Sequence, residues 1–138
     1  MGDNPNVTVL REAYARWVAC RGESCECWLD LLSDDAALSS LAGGAPEVPF
    51  SAPRTGWSGI QAYHEDLTRN WTMVSHDMNE YIAEGDRVVA VGQVAWRNKT
   101  TGQSVESPKV DIWTFRDGKA VAFAESYDTA RTIAAATP

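Results

Sequence analysis

An α+β domain is predicted by the order of the patterns along the chain, helical periodicity first and extended runs afterwards. Leu10, Tyr14, Trp17 and Val18, then Trp28, Leu29 and Leu32, then Ile60, Tyr63, Leu67 and Trp71 recur at helical spacing. From Asp77 onward the pattern changes to extended runs separated by turn residues. Helices first and strands afterwards place the helices over one face of a bent sheet. The 138 residues, 44% hydrophobic and including six Trp, supply one core of ordinary size and leave little room for a second, so residues 1–138 read as one domain.

The elements follow from local signals. Asn4-Pro5 resembles an N-cap with proline at the first helical position, opening a helix over Pro5–Cys20. Ser24 can cap a second, short helix that ends near Ser33-Asp34-Asp35, and Ala36–Leu41 reads as a short strand. Ala42–Gly56 holds three prolines, three glycines and the isolated apolar pair Val48 and Phe50, so it reads as a loop, either disordered or functional as a lid. Ser58-x-x-Gln61 has the form of a capping box for a third helix. Asn79–Ala83, Arg87–Arg97, Gln103–Phe115 and Lys119–Tyr127 then form an antiparallel meander, with Asp128-Thr129 capping a short helix through Ala130–Ala135.

A net charge of −7 without a local Lys/Arg cluster repels phosphate backbones, so nucleic acid is not an expected partner. No run is long enough to span a bilayer, and Met1–Leu10 lacks the basic start and apolar centre of a signal peptide, which predicts a cytoplasmic protein with no membrane association. Cys20, Cys25 and Cys27 are odd in number and fit no zinc spacing, and they read chiefly as structural thiols. With no glycine-rich phosphate loop and no His/Cys ligand set, neither a cofactor nor a metal is expected.

Asp111 and Glu125 carry the chemical signal, because they interrupt strand faces that are otherwise bulky and apolar, where an ionised carboxylate is costly unless paired or protonated. Their faces depend on the last hairpin. A two-residue Asp117-Gly118 turn would set Phe115 opposite Ala120 and separate the acids, whereas a type I turn over Arg116-Asp117-Gly118, with Gly118 as a left-handed bulge residue, pairs Phe115 with Lys119. The bulged turn is the preferred reading. It gathers Asp111, Trp113, Phe115, Val121, Phe123, Glu125 and Tyr127 on one face and leaves Ala120, Ala122, Ala124 and Ser126 as a small-residue surface opposite.

Two acids brought together cannot both ionise cheaply, so one holds a proton that it can donate while the other removes one. The structural alternative has Asp111 bonding a helix terminus and Glu125 pairing with Lys109 or with an arginine of a partner subunit. Tyr63 is a pocket candidate through its hydroxyl, and Tyr14, Trp17 and Trp71 can stack on a flat ligand, although core packing is the commoner role for Trp17 and Trp71. His64 and His76 read as surface residues.

Ser33-Asp34-Asp35, Gly56-Trp57-x-Gly59, the run from Ile82 to Val89, Thr101-Gly102, Phe115-Arg-Asp-Gly-Lys119 and Glu125-x-Tyr127-Asp128-Thr129 occur in the order and spacing of a known family. The chain resembles the SnoaL-like branch of the nuclear-transport-factor-2-like (NTF2-like) superfamily, which also contains ketosteroid isomerases, limonene epoxide hydrolases and scytalone dehydratase. That resemblance implies a cone of three N-terminal helices in the mouth of a strongly curved antiparallel sheet, an apolar pocket for a small molecule, and a homodimer through the outer sheet face. It also implies a catalytic pair at Glu125 and Asp111, with Tyr63, Trp17, Tyr14, Trp113, Phe123, Tyr127 and Trp71 around the substrate. The implied activity is cofactor-independent acid–base catalysis on a small apolar carbonyl compound, by isomerisation, polyketide-type cyclisation or dehydration. A non-catalytic ligand-binding or dimerisation module is the alternative. Epoxide hydrolysis is a further one, since Lys109-x-Asp111 with Glu125 approximates the Arg-x-Asp plus Asp of those hydrolases.

Overall fold

The computed structural model of the chain describes residues 4–138, so the first three residues of the Met1–Leu10 segment lie outside it. Helices α1 (Pro5–Ala19), α2 (Glu26–Leu31), α3 (Gly56–Asn70) and α4 (Thr129–Ala136) accompany strands β1 (Leu32–Ser40), β2 (Arg54–Thr55), β3 (Trp71–Glu84), β4 (Arg87–Asn98), β5 (Ser104–Arg116) and β6 (Lys119–Tyr127). The strands form one sheet in the order β2-β1-β6-β5-β4-β3. All neighbours are antiparallel except β1 and β6, which run parallel. No helix of the described residues is long and apolar enough to cross a membrane.

The first and last helices start as their sequences predict. Asn4 caps α1, its side chain accepting the Asn6 N–H, and Asp128 caps α4 by accepting the Arg131 N–H. Leu10, Ala13, Tyr14 and Trp17 bury one side of α1 toward the sheet. At α2 the cap position is Cys25, while the Ser24 hydroxyl accepts the Glu26 N–H at 3.2 Å.

Elsewhere tertiary pairing overrides the local signal. β1 begins at Leu32 rather than Ala36, because Leu32 pairs with Ala120 of β6 and draws Ser33-Asp34-Asp35 into the strand. The capping box at Ser58 does not form, since α3 starts earlier, at Gly56, with Thr55 as its cap residue. Gly56 has φ +73°, and a Cβ there would lie 2.6 Å from the Asp34 carbonyl oxygen, so the close approach of α3 to β1 requires glycine. Trp71 is the first residue of β3, not part of the helix, and that strand is extended well before Asp77.

The proline-rich segment is anchored rather than loose. It carries a 3-10 turn, Pro49–Ser51, which buries Val48 and Phe50 in the interior. Phe50 there meets the rings of Tyr63 and Tyr127 at 6.0 and 6.1 Å.

The last hairpin differs from the predicted turn. Arg116 pairs with Lys119 around a two-residue Asp117-Gly118 turn, with φ +52° and +80° as a type I′ turn demands, and Phe115 sits opposite Ala120. The register then shifts, so that Thr114 pairs with Ala122 and Val121 is the extra residue of a bulge. Beyond it Trp113 faces Phe123 and Asp111 faces Glu125. The acids share a face as predicted, through a bulge in the strand instead of one in the turn. Two readings are corrected: Ala120 is fully buried in the core instead of belonging to the small-residue outer surface, and Val121, expected on the face of the acids, is the half-buried unpaired residue of the bulge.

β3 carries two more register shifts, which leave Val74 and Asn79 unpaired against β4. The core is arranged as two clusters, one around Leu10, Tyr14, Trp113 and Phe115 and another around Trp17, Phe50, Leu67 and Trp71.

Candidate active site

The register of β5 against β6 sets Asp111 opposite Glu125 and Lys109 opposite Tyr127. Side chains alternate along a strand, so Lys109 shares the inward face of Asp111. Its ammonium nitrogen lies 3.2 Å from Asp111 Oδ1 and 3.1 Å from Glu125 Oε1, joining both acids into one buried cluster. The Tyr14 hydroxyl donates to Asp111 Oδ2 at 2.5 Å and accepts the Trp113 indole N–H at 2.9 Å. The Tyr63 hydroxyl lies 3.1 and 3.2 Å from the two oxygens of Glu125.

The carboxyls are 1% and 3% exposed, and the shifts in this cluster follow from that burial. Burial pushes the Asp111 carboxyl above its usual range; Lys109 opposes the shift, Glu125 adds to it, and the bond from Tyr14 favours the ionised form. For Lys109, burial is the largest influence and acts downward, but Asp111 and Glu125 together outweigh it and hold the ammonium proton more tightly than usual. Burial, then the charge of the neighbouring acid, raises Tyr14 and Tyr63 well above the ordinary phenol range and Tyr127 to about 12. Tyr14 and Tyr63 donate to the acids, and none of the three phenols serves as a base.

Two cavities adjoin the cluster, one of about 40 Å³ and one of about 60 Å³. Each is roomy enough to admit water. Tyr14, Trp113, Phe123 and Asp111 line the first, and Trp71, Tyr127, Phe50 and Glu125 line the second. Trp17, Tyr63, His76 and Lys109 line both. All the residues named from the sequence as surrounding a ligand therefore lie on cavity walls, but the two acids face different chambers.

His76 corrects the sequence reading, since it is buried instead of lying at the surface. Burial, with a smaller contribution from the Lys109 charge, lowers its pKa to about 3, so the ring is neutral at ordinary pH. The unpaired Val74 turns it inward: after Trp71 and Met73 the extra residue shifts the alternation, and His76 and Met78 become the next buried side chains. No periodicity in the sequence marks that bulge. Lys109 is legible in the sequence as a salt-bridge partner for Glu125 and as the cation of Lys109-x-Asp111, and the structure sets it against both acids at once. His64, by contrast, is part-buried and donates from Nε2 to the Gly22 carbonyl at 2.8 Å.

Burial raises the Cys25 thiol and pushes Cys27 up to about 12, which removes thiolate character from both. Among the described residues no three His, Cys, Asp or Glu side chains form a group suited to hold a metal ion.

Comparison with known proteins places this arrangement in a family. The SnoaL-like domain matches residues 10–123, most of the chain. The protein belongs to the SnoaL-like family. An NTF2-like protein of unknown function from Burkholderia pseudomallei shares the fold at 22% identity and TM-score 0.84, covering 99% of this chain and all (100%) of that one. A candidate polyketide cyclase from Xanthomonas campestris pv. campestris is similar at 17% identity and TM-score 0.79, covering 96% and 97% of the two chains. A candidate isomerase from Bacillus subtilis is similar at 16% identity and TM-score 0.77, with 94% of each chain covered. No curated protein matches the chain. At these identities the SnoaL-like domain shares a fold with its neighbours, and its chemistry has to be argued from its own residues.

Proposed function

We propose that this SnoaL-like protein is a cofactor-independent acid–base enzyme acting on a small, largely apolar carbonyl compound, by isomerisation, cyclisation or dehydration. The buried Lys109–Asp111–Glu125 cluster on the walls of two aromatic chambers carries the reading. In this scheme Glu125 removes a proton from the carbon next to the carbonyl and later returns it. The protonated Lys109 stabilises the negative charge that develops on the substrate oxygen, because a fixed cation in a water-poor cleft is worth more than one in solvent. Asp111, bonded by Tyr14 and paired with Lys109, positions that cation and carries a second proton site. The candidate cyclase and isomerase among the structural neighbours agree with this class of chemistry.

Proton exchange tests the scheme without knowledge of the natural substrate. In D₂O the protein should accelerate loss of the α-proton NMR signal of 2-tetralone, and Glu125→Gln should slow that exchange by about 100-fold or more, the range expected for a general base. A rate equal to wild type in Glu125→Gln would remove Glu125 from the mechanism.

Epoxide hydrolysis is a second reading, supported by one observation: a cation two residues before Asp111 touches both acids. In that case Glu125 activates water for attack on an epoxide carbon, and Asp111 protonates the oxygen released from that carbon. Formation of a diol from cyclohexene oxide, with no exchange of 2-tetralone, would favour it. Binding of either compound without turnover would point to a ligand-binding module.

The enzyme reading goes with a cytoplasmic homodimer. The outer face of β5 and β6 leaves Ile112, Thr114, Ala122 and Ala124 half-exposed and small enough for close apposition. Light scattering after size exclusion should give twice the chain mass, and Ala122→Arg should halve it. A wild-type monomer at micromolar concentration would refute the pairing.

A further inference from the structure

We propose that the groove between α1 and β3 is a binding site for an apolar monocarboxylate, in which Arg11 holds the carboxylate while Ala15, Val18 and Met78 carry the hydrocarbon. The groove measures about 490 Å³, within the roughly 300–1,000 Å³ usual for small-molecule sites, whereas the inner chambers of about 40 and 60 Å³ hold little more than water. Tyr14 and His76 border both this groove and the first chamber, and the Tyr14 hydroxyl bonds Asp111. A ligand seated in the groove therefore lies one side chain away from the acids.

The sequence builds both walls. Arg11, Ala15 and Val18 follow one another at helical spacing and line one stripe of α1, where the short side chain of Ala15 keeps the trough open. Across from them His76 and Met78 alternate inward along β3, and the unpaired Asn79 then shifts the alternation so that Tyr81 turns to the same side. The Arg11 guanidinium lies over the Tyr81 ring, 4.3 Å from its centroid. That attraction restricts the cation without using its N–H donors. Among the described residues Arg11 joins no ion pair. Asp77 also borders the groove, but it stands between the inward His76 and Met78 and is exposed on the opposite side of the strand. Val18, a large hydrophobic residue left 42% exposed, supplies apolar surface beside Met78. A held guanidinium with unused donors at one end of an apolar trough fits a carboxylate, whose two oxygens match the fork of its N–H groups.

The inference rests on the proposed function only in taking the bound acid for a substrate on its way in, and its test measures binding without turnover, so either idea can fail alone. 4-Cyclohexylbutanoate and its amide have the same shape and differ in charge. Titrated into the protein at low ionic strength and followed by ¹⁵N NMR, the carboxylate should bind about tenfold more tightly than the amide, the gain of one charge-assisted contact at a partly exposed site. The backbone signals of Val18 and Tyr81 should be among those that move. Arg11→Gln should bring the two affinities within about threefold of each other by weakening the carboxylate alone, and Arg11→Lys should keep part of the preference, as a cation without the fork. Ala15→Trp should fill the trough and weaken both ligands by about tenfold, a steric loss that charge does not rescue. Both positions are exposed, so the variants keep the core intact. Equal affinity for acid and amide, a preference that survives Arg11→Gln, binding unaffected by Ala15→Trp, or no binding of either compound would each overturn the assignment. Failure of 2-tetralone exchange with these binding results intact would remove the enzyme reading and leave the carboxylate site standing.

Discussion

The two acids face each other across one strand pair and share one lysine, but they are held in different ways. Asp111 is clamped: Tyr14 donates to it at 2.5 Å, Trp113 in turn donates to Tyr14, and the Trp113 ring lies 4.4 Å from Phe123 and 5.6 Å from Trp28. Glu125 meets a single hydroxyl, that of Tyr63, at 3.1 and 3.2 Å from its two oxygens. A side chain fixed by a chain of buried donors suits positioning, whereas one held by a single shared donor can exchange that partner for a substrate. The difference assigns the fixed role to Asp111 and the reactive one to Glu125.

The sharpest way to break this comparison is to remove what the two sides share. Lys109→Met leaves two buried carboxyls without a cation and should cost about 3–5 kcal/mol at pH 7 by urea unfolding, the usual penalty for orphaning a buried charge. Adding Asp111→Asn and Glu125→Gln to that variant should restore much of the loss. If Lys109→Met is as stable as wild type, the cluster is not the electrostatic unit described.

His76 borders both chambers and gives the next largest effect. Its folded pKa of about 3 lies below its ordinary value of 6.5, so the stability from keeping it neutral is present above pH 6.5 and is lost as pH falls toward 3. Between pH 7 and pH 5 this one group should account for about 2 kcal/mol of lost stability, and His76→Phe should show that much less dependence over the same window. Parallel curves for the two proteins would mean that the imidazole is accessible to protons in the folded state.

The smallest effect is the most diagnostic of the asymmetry. Tyr14→Phe should destabilise by about 2 kcal/mol and Tyr63→Phe by about 1 kcal/mol, because the first also leaves the buried Trp113 N–H without its acceptor. Reversal of that order in thermal unfolding would make Glu125 the clamped acid.

Much of the fold was legible because the signals were local. The caps Asn4 and Asp128 and the stripe Leu10–Tyr14–Trp17 act through neighbours in sequence. The start of β3 at Trp71 was hidden, because only pairing with Asn98 of β4 makes that residue extended. The acids were legible as charges among apolar residues, and Tyr63 as a hydroxyl on an apolar helix face. His76 was not, since its direction depends on an unpaired residue two places earlier. The same cause underlies the hairpin, where the predicted face was right while the predicted turn was wrong.

Val121 acts as a phase marker in β6. On the tip side of it an even-numbered residue, Ala120, points inward, and on the far side the odd-numbered Phe123 and Glu125 do. Superposing this strand on a relative that lacks the extra residue by counting from the hairpin tip would therefore assign the acid one place out of step. Deleting Val121 itself would turn β6 into a regular strand with Glu125 still opposite Asp111, whereas a second residue inserted beside it would turn the carboxylate out of the interior and leave Lys109 and Asp111 as a pair, a larger change to the site than most substitutions within it.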